Sequence, residues 1–463
     1  MKLTREEMLA NLGSRDVSLN GKYIVGVHST GIYCLPSCPA RVPKPENVKF
    51  YAGCADAEAA GLRPCKKCRP DDYERGENHE LDALESLIQR VRSNPGDFAC
   101  VPELAESLGV GATKLHELIR NHYHATPGEL LLQARLERAK QRLLEADEGI
   151  AQTAYEVGFE SLSVFNDNFK RRCGLTPSEY RGLRNAVEFR IQLPSGYNLE
   201  LFLHSFGRDA ESPTERLSGR SAILATPSGA LGELEFGSVI RARVERGQAF
   251  DFYDTVSRVL GLSQEPKGFE QLAIERGFNQ LIEGRKGARI PQTLSLFDGL
   301  IWAIVGQQVN LPFAFALRRR LFHRYGEPVG RGLFAIPKPD RLAAIDVSEL
   351  LSMQFSRRKA EYMIGVSQLG EKWAASLATL SATRNSTTLL NTRGLGVWSA
   401  NYIMMRSLGF MDCVPYGDTG LTAGMVKALG LDQKPDRQEV EERMAAFSPW
   451  RSMATYHLWQ HLK

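Results

Sequence analysis

The chain lacks any uninterrupted apolar run approaching the about eighteen residues of a membrane span, and its opening, Met1 to Glu7, has charges with no apolar stretch behind them. Neither a membrane nor a secreted protein is expected, so a cytoplasmic location follows. In that reducing compartment, paired cysteines are more often metal ligands or reactive thiols than disulfides. Low-complexity tracts are missing too. Net charge is small: a formal +4 and a pI near 8.5 are compatible with nucleic acid but say nothing about patches. What is present is ordinary globular material, 43% hydrophobic and 24% charged over 463 residues, too long for one core. Three or four domains are expected.

Four segments succeed one another. Residues 1–76 read as short strands and loops, with K-Y-I-V-G-V and K-F-Y-A as strand candidates, around a core small enough to need a staple. Residues 79–182 are helical, starting with Leu81, Leu84, Leu87, Ile88 and Val91 at spacings of three and four. Two similar units follow, V-P-E-L-A-E-S-L-G-V-G-A-T-K-L-H-E-L-I-R and G-I-A-Q-T-A-Y-E-V-G-F-E-S-L-S-V-F-N-D-N-F-K-R-R. Each pairs two short helices across a glycine turn (Gly109, Gly158), with a Thr or Ser placed to cap the second, as in a duplicated helix-turn-helix. Residues 185–262 alternate as strands in E-F-R-I-Q-L-P, L-E-L-F-L-H, S-A-I-L-A-T, L-G-E-L-E-F and S-V-I-R-A-R-V. Residues 263–463 are mostly helical, with candidates at 294–309, 314–325, 361–369, 397–408, 420–429 and 437–447. The expected fold class is multidomain and mainly α with α+β parts: a small metal-stapled domain, an all-α double helix-turn-helix, a small α+β sheet domain and an all-α domain.

The strongest chemical signal is Cys34-x3-Cys38, twenty-six residues, then Cys65-x2-Cys68. Two short loops each offering two thiolates suit one tetrahedral zinc, with sulfurs at about 2.3 Å. A closed four-sulfur site is normally inert, but Arg41, Arg63, Lys66, Lys67 and Arg69 crowd this one, and cations near a thiolate preserve its nucleophilicity.

T-G-I-Y-C-L-P-S-C-P-A-R, E-N-V-K-F-Y-A and A-A-G-L-R-P-C-K-K-C-R-P-D resemble the N-terminal domain of the Ada adaptive-response family throughout the first segment. The resemblance implies that Cys34 irreversibly accepts a methyl group from a methyl phosphotriester in DNA, with Cys38, Cys65 and Cys68 as the other zinc ligands. It implies DNA contacts for Thr30, Arg41 and Arg63; Pro39 departs from the family, which often carries an arginine there. Methylation lowers the site's negative charge, so DNA phosphates meet less repulsion and repair becomes a binding switch.

G-F-x-S-x-S-x-F-x-x-x-F-K, from Gly158 to Lys170, is similar to the DNA-binding domain of AraC-type transcription factors, which also follows the zinc domain in Ada. Leu104, Leu108, Leu115, Leu118 and Ile119 read as core. The candidate base readers are Lys114 and His116 in the first unit and Ser161, Ser163, Asn166 and Asn168 in the second. Acidic residues outnumber basic ones here, so DNA binding requires the basic ones to cluster. Ada's C-terminal P-C-H-R methyltransferase motif is absent.

In T-R-G-L-G-V-W-S-A, Gly394 and Gly396 precede a helix, where bare amides form an anion site. On its own, G-x-G reads more often as a tight turn. Together with A-I-V-G-Q-Q-V-N, V-P-Y-G-D-T-G-L and P-W-R-S-M-A-T-Y-H-L-W it resembles the helix-hairpin-helix DNA glycosylases, closely those of the AlkA type. The 185–262 segment corresponds in place to that family's N-terminal domain. The resemblance implies hydrolysis of the N-glycosidic bond of alkylated purines of the 3-methyladenine type. It implies that Asp418 is the carboxylate near C1′ and that Trp398, Tyr402 and Trp459 wall the base pocket, and it sets Gln308 where relatives insert a wedge. An aspartate before a helix is ordinarily its N-cap, and here both roles are open. Bifunctional relatives carry lysine where Trp398 stands, so a monofunctional enzyme without strand cleavage is implied.

The resemblances imply a fused alkylation-damage sensor, transcriptional regulator and excision enzyme. Its partners are alkylated and promoter double-stranded DNA and RNA polymerase, with no membrane. It is bacterial and nucleoid-associated, with one Zn2+, no organic cofactor and no need to dimerise. Two rivals are an Ada-type regulator with an inactive glycosylase-like half, and an AraC-type regulator whose C-terminal half binds a small ligand beside a merely structural zinc.

Overall fold

The structure, a computed structural model, describes residues 3–16, 19–145 and 147–462. The chain divides into two compact units, up to Ser86 and from Leu87 onward. Among the described residues no helix is long and apolar enough to cross a membrane.

In the first unit a four-stranded sheet has the order β3-β1-β2-β4, built from β1 (Ile24–Val27), β2 (Ile32–Cys34), β3 (Val48–Tyr51) and β4 (Arg63–Pro64). β1 lies antiparallel to β2 and β3, whereas the two-residue β4 runs parallel to β2, pairing Ile32 with Arg63 and Tyr33 with Pro64. Three short helices, Arg5–Ala10, Cys54–Ala59 and Pro70–Glu74, join the expected strands and loops. Ile24, Tyr33, Leu35, Tyr51, Ala57 and Leu62 belong to one core cluster and Leu19, Tyr23, Val25 and Val48 to a second, each small enough for a metal staple to matter.

The second unit begins with helices. Val101–Leu108 and Ala112–Tyr123 form one helix-turn-helix, Ile150–Glu156 and Leu162–Cys173 the other, and Pro127–Glu145 joins them. Leu104, Leu115, Leu118 and Ile119 are buried as expected, and Leu108 is half-buried. Caps differ from expectation: the second helices start at Gly111 and Ser161, and neither start receives a side-chain capping bond.

A five-stranded antiparallel sheet follows, in the order β5-β9-β8-β7-β6, with β5 Glu188–Gln192, β6 Glu215–Ser218, β7 Ser221–Ala225, β8 Leu231–Glu235 and β9 Val239–Arg246. L-E-L-F-L-H, expected as a strand, is instead the helix Leu199–Phe206. Asn198 caps it by accepting from the Leu201 nitrogen, and Phe202 and Leu203 are buried, so the helical face outcompetes a short apparent alternation. The strand at Glu215–Ser218 takes its place in the sheet. Helix Ala249–Leu260 packs behind, and its Tyr253 hydroxyl donates to the Cys173 carbonyl at 2.7 Å. Phe169, Tyr180, Tyr253 and Phe189 stack edge to face in series, so the second helix-turn-helix and the sheet share one core.

The remaining chain is helical apart from a small hairpin, β10 (Pro328–Gly330) with β11 (Leu333–Phe334). Helices at Leu296–Val305, Leu311–Tyr325, Arg357–Gln368, Val397–Arg406, Thr419–Leu429 and Arg437–Ala445 answer the six candidates, with ends shifted by a few residues. Arg318, buried between Trp302 and Phe322, pairs with Asp298 at 2.9 Å and donates to Thr214 at the edge of the sheet. Leaving either charge without the other would be costly, so this pair fixes the helices against the sheet.

His457 is fully buried against Phe269, and its Nδ1 donates to the Leu281 carbonyl. Burial pushes it down from 6.5 to about 3. The unfolded chain therefore takes up this proton near pH 6.5 and the folded chain only near pH 3, so stability falls as pH drops between them. Denaturant unfolding at pH 7 and pH 5 is expected to lose about 2 kcal/mol from this residue. His457→Phe is expected to remove that part of the loss.

Candidate functional site

Parallel pairing of β2 with β4 sets Cys34, at the end of β2, beside Cys65, one residue past β4; the Cys65 nitrogen donates to the Tyr33 carbonyl at 3.0 Å. Turns then return Cys38 and Cys68 to the same point, and Arg69 takes a left-handed φ of 43° as the chain enters the next helix. The four Sγ atoms lie within 4.8 Å of one another, with Cys38 and Cys65 at 3.9 Å. A tetrahedron of sulfurs about 2.3 Å from a zinc has edges of roughly 3.8 Å, so the cluster fits one Zn2+. The Leu35 amide donates to the Cys68 sulfur at 3.3 Å, the kind of outer bond that orients a thiolate ligand. Cys54 stands apart, buried in the core, where burial and nearby Asp71 and Glu74 push its thiol up to about 12. Thr30, Pro39, Arg41, Arg63, Lys66, Lys67 and Arg69 are all exposed. The Thr30 hydroxyl donates to the Val27 carbonyl, closing the turn between β1 and β2.

On the second recognition helix Ser163 is exposed, while Ser161, Asn166 and Asn168 are half-buried. The Asn168 amide donates to the Val164 carbonyl and its oxygen accepts from Arg171, so it is tied along its own helix. In the first unit His116 is exposed and Lys114 half-buried. Lys170 and Arg171 are exposed at the helix end, whereas Arg172 donates to the Ser263 carbonyl at 2.7 Å and faces Glu265.

In the helical domain Ala382–Leu390 and Val397–Arg406 form a helical hairpin through Thr392–Gly396. Gly394 has φ 96°, and a Cβ there would lie 2.3 Å from Tyr362, so its glycine answers internal crowding. Gly396 differs: it is exposed, begins the helix without a side-chain cap, and a Cβ there meets nothing within 4 Å. Open space in front of uncapped amides is what an anion needs.

Asp418 caps helix Thr419–Leu429, its Oδ1 accepting from the Leu421 nitrogen at 2.6 Å. Two indoles meet the same carboxylate, Trp459 Nε1 on Oδ1 and Trp398 Nε1 on Oδ2, each at 2.9 Å. Trp398 also stacks on Tyr402, with centroids 5.2 Å apart and planes 16° from parallel. Three elements thus bring Asp418, Trp398, Tyr402 and Trp459 together. The carboxylate is held in one orientation, and Oδ2, which accepts from Trp398 alone among the described residues, keeps accepting capacity. Gln308 is exposed, with a left-handed φ of 52°. Sequence reasoning assigned no role to Gln307, in this loop beside Gln308, or to Lys359, at the loop's foot. Lys359 is buried, donates to the Val305 carbonyl at 2.6 Å, and is lowered to about 8 by burial. A lysine in a helical run gives no signal of such burial. A groove of about 820 Å³ along the exposed face of the five-stranded sheet, rimmed by Arg190, Arg216, Arg243 and Glu233, contains none of the predicted site residues.

Three family descriptions match in chain order: the metal binding domain of Ada over residues 7–71, a helix-turn-helix domain over 104–182, and the HhH-GPD superfamily of base excision DNA repair proteins over 301–449. They define a class, a base-excision repair domain carried behind a metal-binding and helix-turn-helix front end. The chain carries these three domains in one order and is similar over nearly its whole length to a bifunctional protein of that kind. It is 29% identical to a probable bifunctional transcriptional activator/DNA repair enzyme AlkA of Mycobacterium tuberculosis, over 97% of this chain and 95% of the other. It is 31% identical to a DNA-3-methyladenine glycosylase of Bacillus subtilis, over 38% of this chain and 60% of that one. A 3-methyladenine DNA-glycosylase structure from Archaeoglobus fulgidus shares the fold, with a TM-score of 0.53 and 19% identity, covering 59% of this chain and 98% of that one.

The two hairpin glycines are expected to separate on substitution. Gly394→Ala lowers the melting temperature because Tyr362 must move, whereas Gly396→Ala leaves it unchanged and weakens binding to duplex DNA. Thermal unfolding and a duplex titration on both variants check this.

Proposed function

We propose that this chain detects alkylated DNA through Cys34, regulates transcription, and excises alkylated purines with Asp418. The observation that carries the reading is the Asp418 carboxylate, gripped by Trp398, Trp459 and the Leu421 amide beside a hairpin with open amides. Alkylation at N3 or N7 makes a purine cationic and a good leaving group. The enzyme then has mainly to stabilise positive charge growing on the sugar, and a carboxylate held in place does so without reorganising. Aromatic faces at Trp398, Tyr402 and Trp459 suit a cationic base taken out of the stack. With Trp398 where an amine would otherwise stand, no Schiff base forms and the product is an intact strand with an abasic site.

In the first unit, zinc bound by Cys34, Cys38, Cys65 and Cys68 keeps all four as thiolates near neutral pH. The proposed transfer is a displacement at carbon. Cys34 Sγ bonds to the methyl carbon as the bond from that carbon to the phosphotriester oxygen breaks, and the oxygen keeps the electron pair as a phosphodiester anion. Exposed Thr30, Arg41 and Arg63 are the proposed backbone contacts. Cys65, the buried member, is the least accessible of the four to DNA.

We further propose the working division 1–76, 79–182, 185–262 and 263–463 for metal site, promoter reading, sheet support and excision. In this reading a monomer located in the cytoplasm and associated with the nucleoid acts together with RNA polymerase.

Two experiments test the reading. Intact protein incubated with methylated duplex DNA is expected to release free 3-methyladenine and leave unnicked abasic strands. Asp418→Asn is expected to lower release by about a hundredfold or more. Separately, zinc-loaded protein exposed to DNA containing methyl phosphotriesters is expected to gain the mass of one methylene on the peptide holding Cys34. Methyl found on another cysteine, or on none, removes the sensor assignment.

A further inference from the structure

Behind the pocket, three elements are tied to one another in pairs. The loop from Gly306 to Asn310 leaves helix Leu296–Val305 and enters helix Leu311–Tyr325, and its Gln308 is the exposed left-handed residue. The side chain of its neighbour Gln307 crosses to the hairpin, Nε2 donating to the Gly394 carbonyl at 2.8 Å and to the Ser399 hydroxyl at 3.2 Å. A carbonyl can only accept, so this contact fixes which end of the Gln307 amide faces the hairpin. Helix Arg357–Gln368 holds both partners. Lys359 donates to the Val305 carbonyl at the foot of the loop, Tyr362 lies against Gly394, and Glu361 pairs with Arg393 at 3.2 Å. The loop, the hairpin and the helix therefore form a closed triangle, with Gln307 as the edge joining loop to hairpin. Gln308 keeps a backbone conformation that non-glycine residues adopt only when their surroundings hold them in it.

We propose that Gln307 is a positioning residue that couples the hairpin's grip on the DNA backbone to the entry of Gln308 into the base stack. This rests on the function proposed above. A phosphate seated on the Gly396 amides fixes the hairpin backbone, Gln307 carries that position to the loop, and Gln308 is presented at the lesion without a separate ordering step. Among the described residues Gln307 hydrogen-bonds Gly394 and Ser399 and not Asp418, Trp398 or Trp459, so its loss spares chemistry once a base is already displaced.

The test uses full-length protein carrying Gln307→Leu, which removes both bonds, and Gln307→Glu, which turns an acceptor toward the Gly394 carbonyl. Each is assayed for 3-methyladenine release from a fully paired duplex and from the same lesion in a single-stranded bulge, where little unstacking is needed. Both variants are expected to stay folded, melting no more than a few degrees below wild type, and to bind an abasic-site duplex within about twofold of it, while release from the paired duplex falls roughly tenfold, the scale of one lost hydrogen bond. Release from the bulge is expected to stay near wild type. Equal loss on both substrates, or no loss on either, overturns the proposal. Stack opening is also read without excision, from the fluorescence of 2-aminopurine placed beside the abasic site. A smaller rise than wild type supports the coupling, and an equal rise overturns it even if no base is ever released. Wild-type protein that opens the stack but releases nothing overturns instead the assignment of Asp418.

Discussion

The carboxylate of Asp418 accepts from the Leu421 nitrogen and from both indoles, and each donor is supplied by a different part of the fold. The amide belongs to the helix that Asp418 starts, one indole to the second arm of the hairpin, the other to helix Arg451–Gln460. An N-cap typically stabilises a helix by about 1 kcal/mol. Here the cap also draws together two aromatic side chains, with one indole on each carboxylate oxygen. The residue proposed for the chemistry is therefore one that the local fold already requires, and its geometry is set by chain folding before any substrate arrives.

Around that point the protein is organised by charges and rings that do not face solvent. Arg318 and Asp298, nearly inaccessible and flanked by Trp302 and Phe322, bind two helices of the excision domain to Thr214 beside the sheet. The staple in the first unit is of another kind. There two small apolar clusters are supplemented by four sulfurs that converge because one strand runs parallel where its neighbours run antiparallel.

What could be read in the sequence was what is encoded locally. The cysteine spacing, the paired helix-turn-helix units and the glycine hairpin each lie within a few dozen residues, and their side chains answer to near neighbours. The helix at Leu199–Phe206 was not legible, because six residues with apolar positions on both a period of two and a period near 3.6 fit either element, and only Asn198 and the packed Phe202 decide it. Helix Leu296–Val305 stops short of position 309 because the chain turns at Gly306 and Gln308 takes positive φ, which periodicity cannot register. The meeting of Trp398, Trp459 and Asp418 was accessible only through resemblance, since the partners lie 20 and 41 residues from the aspartate. Gln307 lies inside A-I-V-G-Q-Q-V-N, but its partner 87 residues away, like that of Lys359 at 54, could not be read from local spacing.

The aromatic series from Phe169 through Tyr180 and Tyr253 to Phe189 leaves no seam between the second helix-turn-helix and the sheet that supports the excision domain. A flexible tether would let one module melt while the other persisted; a common interior does not. Damage to this core is therefore inherited by both, and a substitution here would unfold the helix-turn-helix together with the domain that the sheet supports. The two modules are then one cooperative unit, which a linker would not make them.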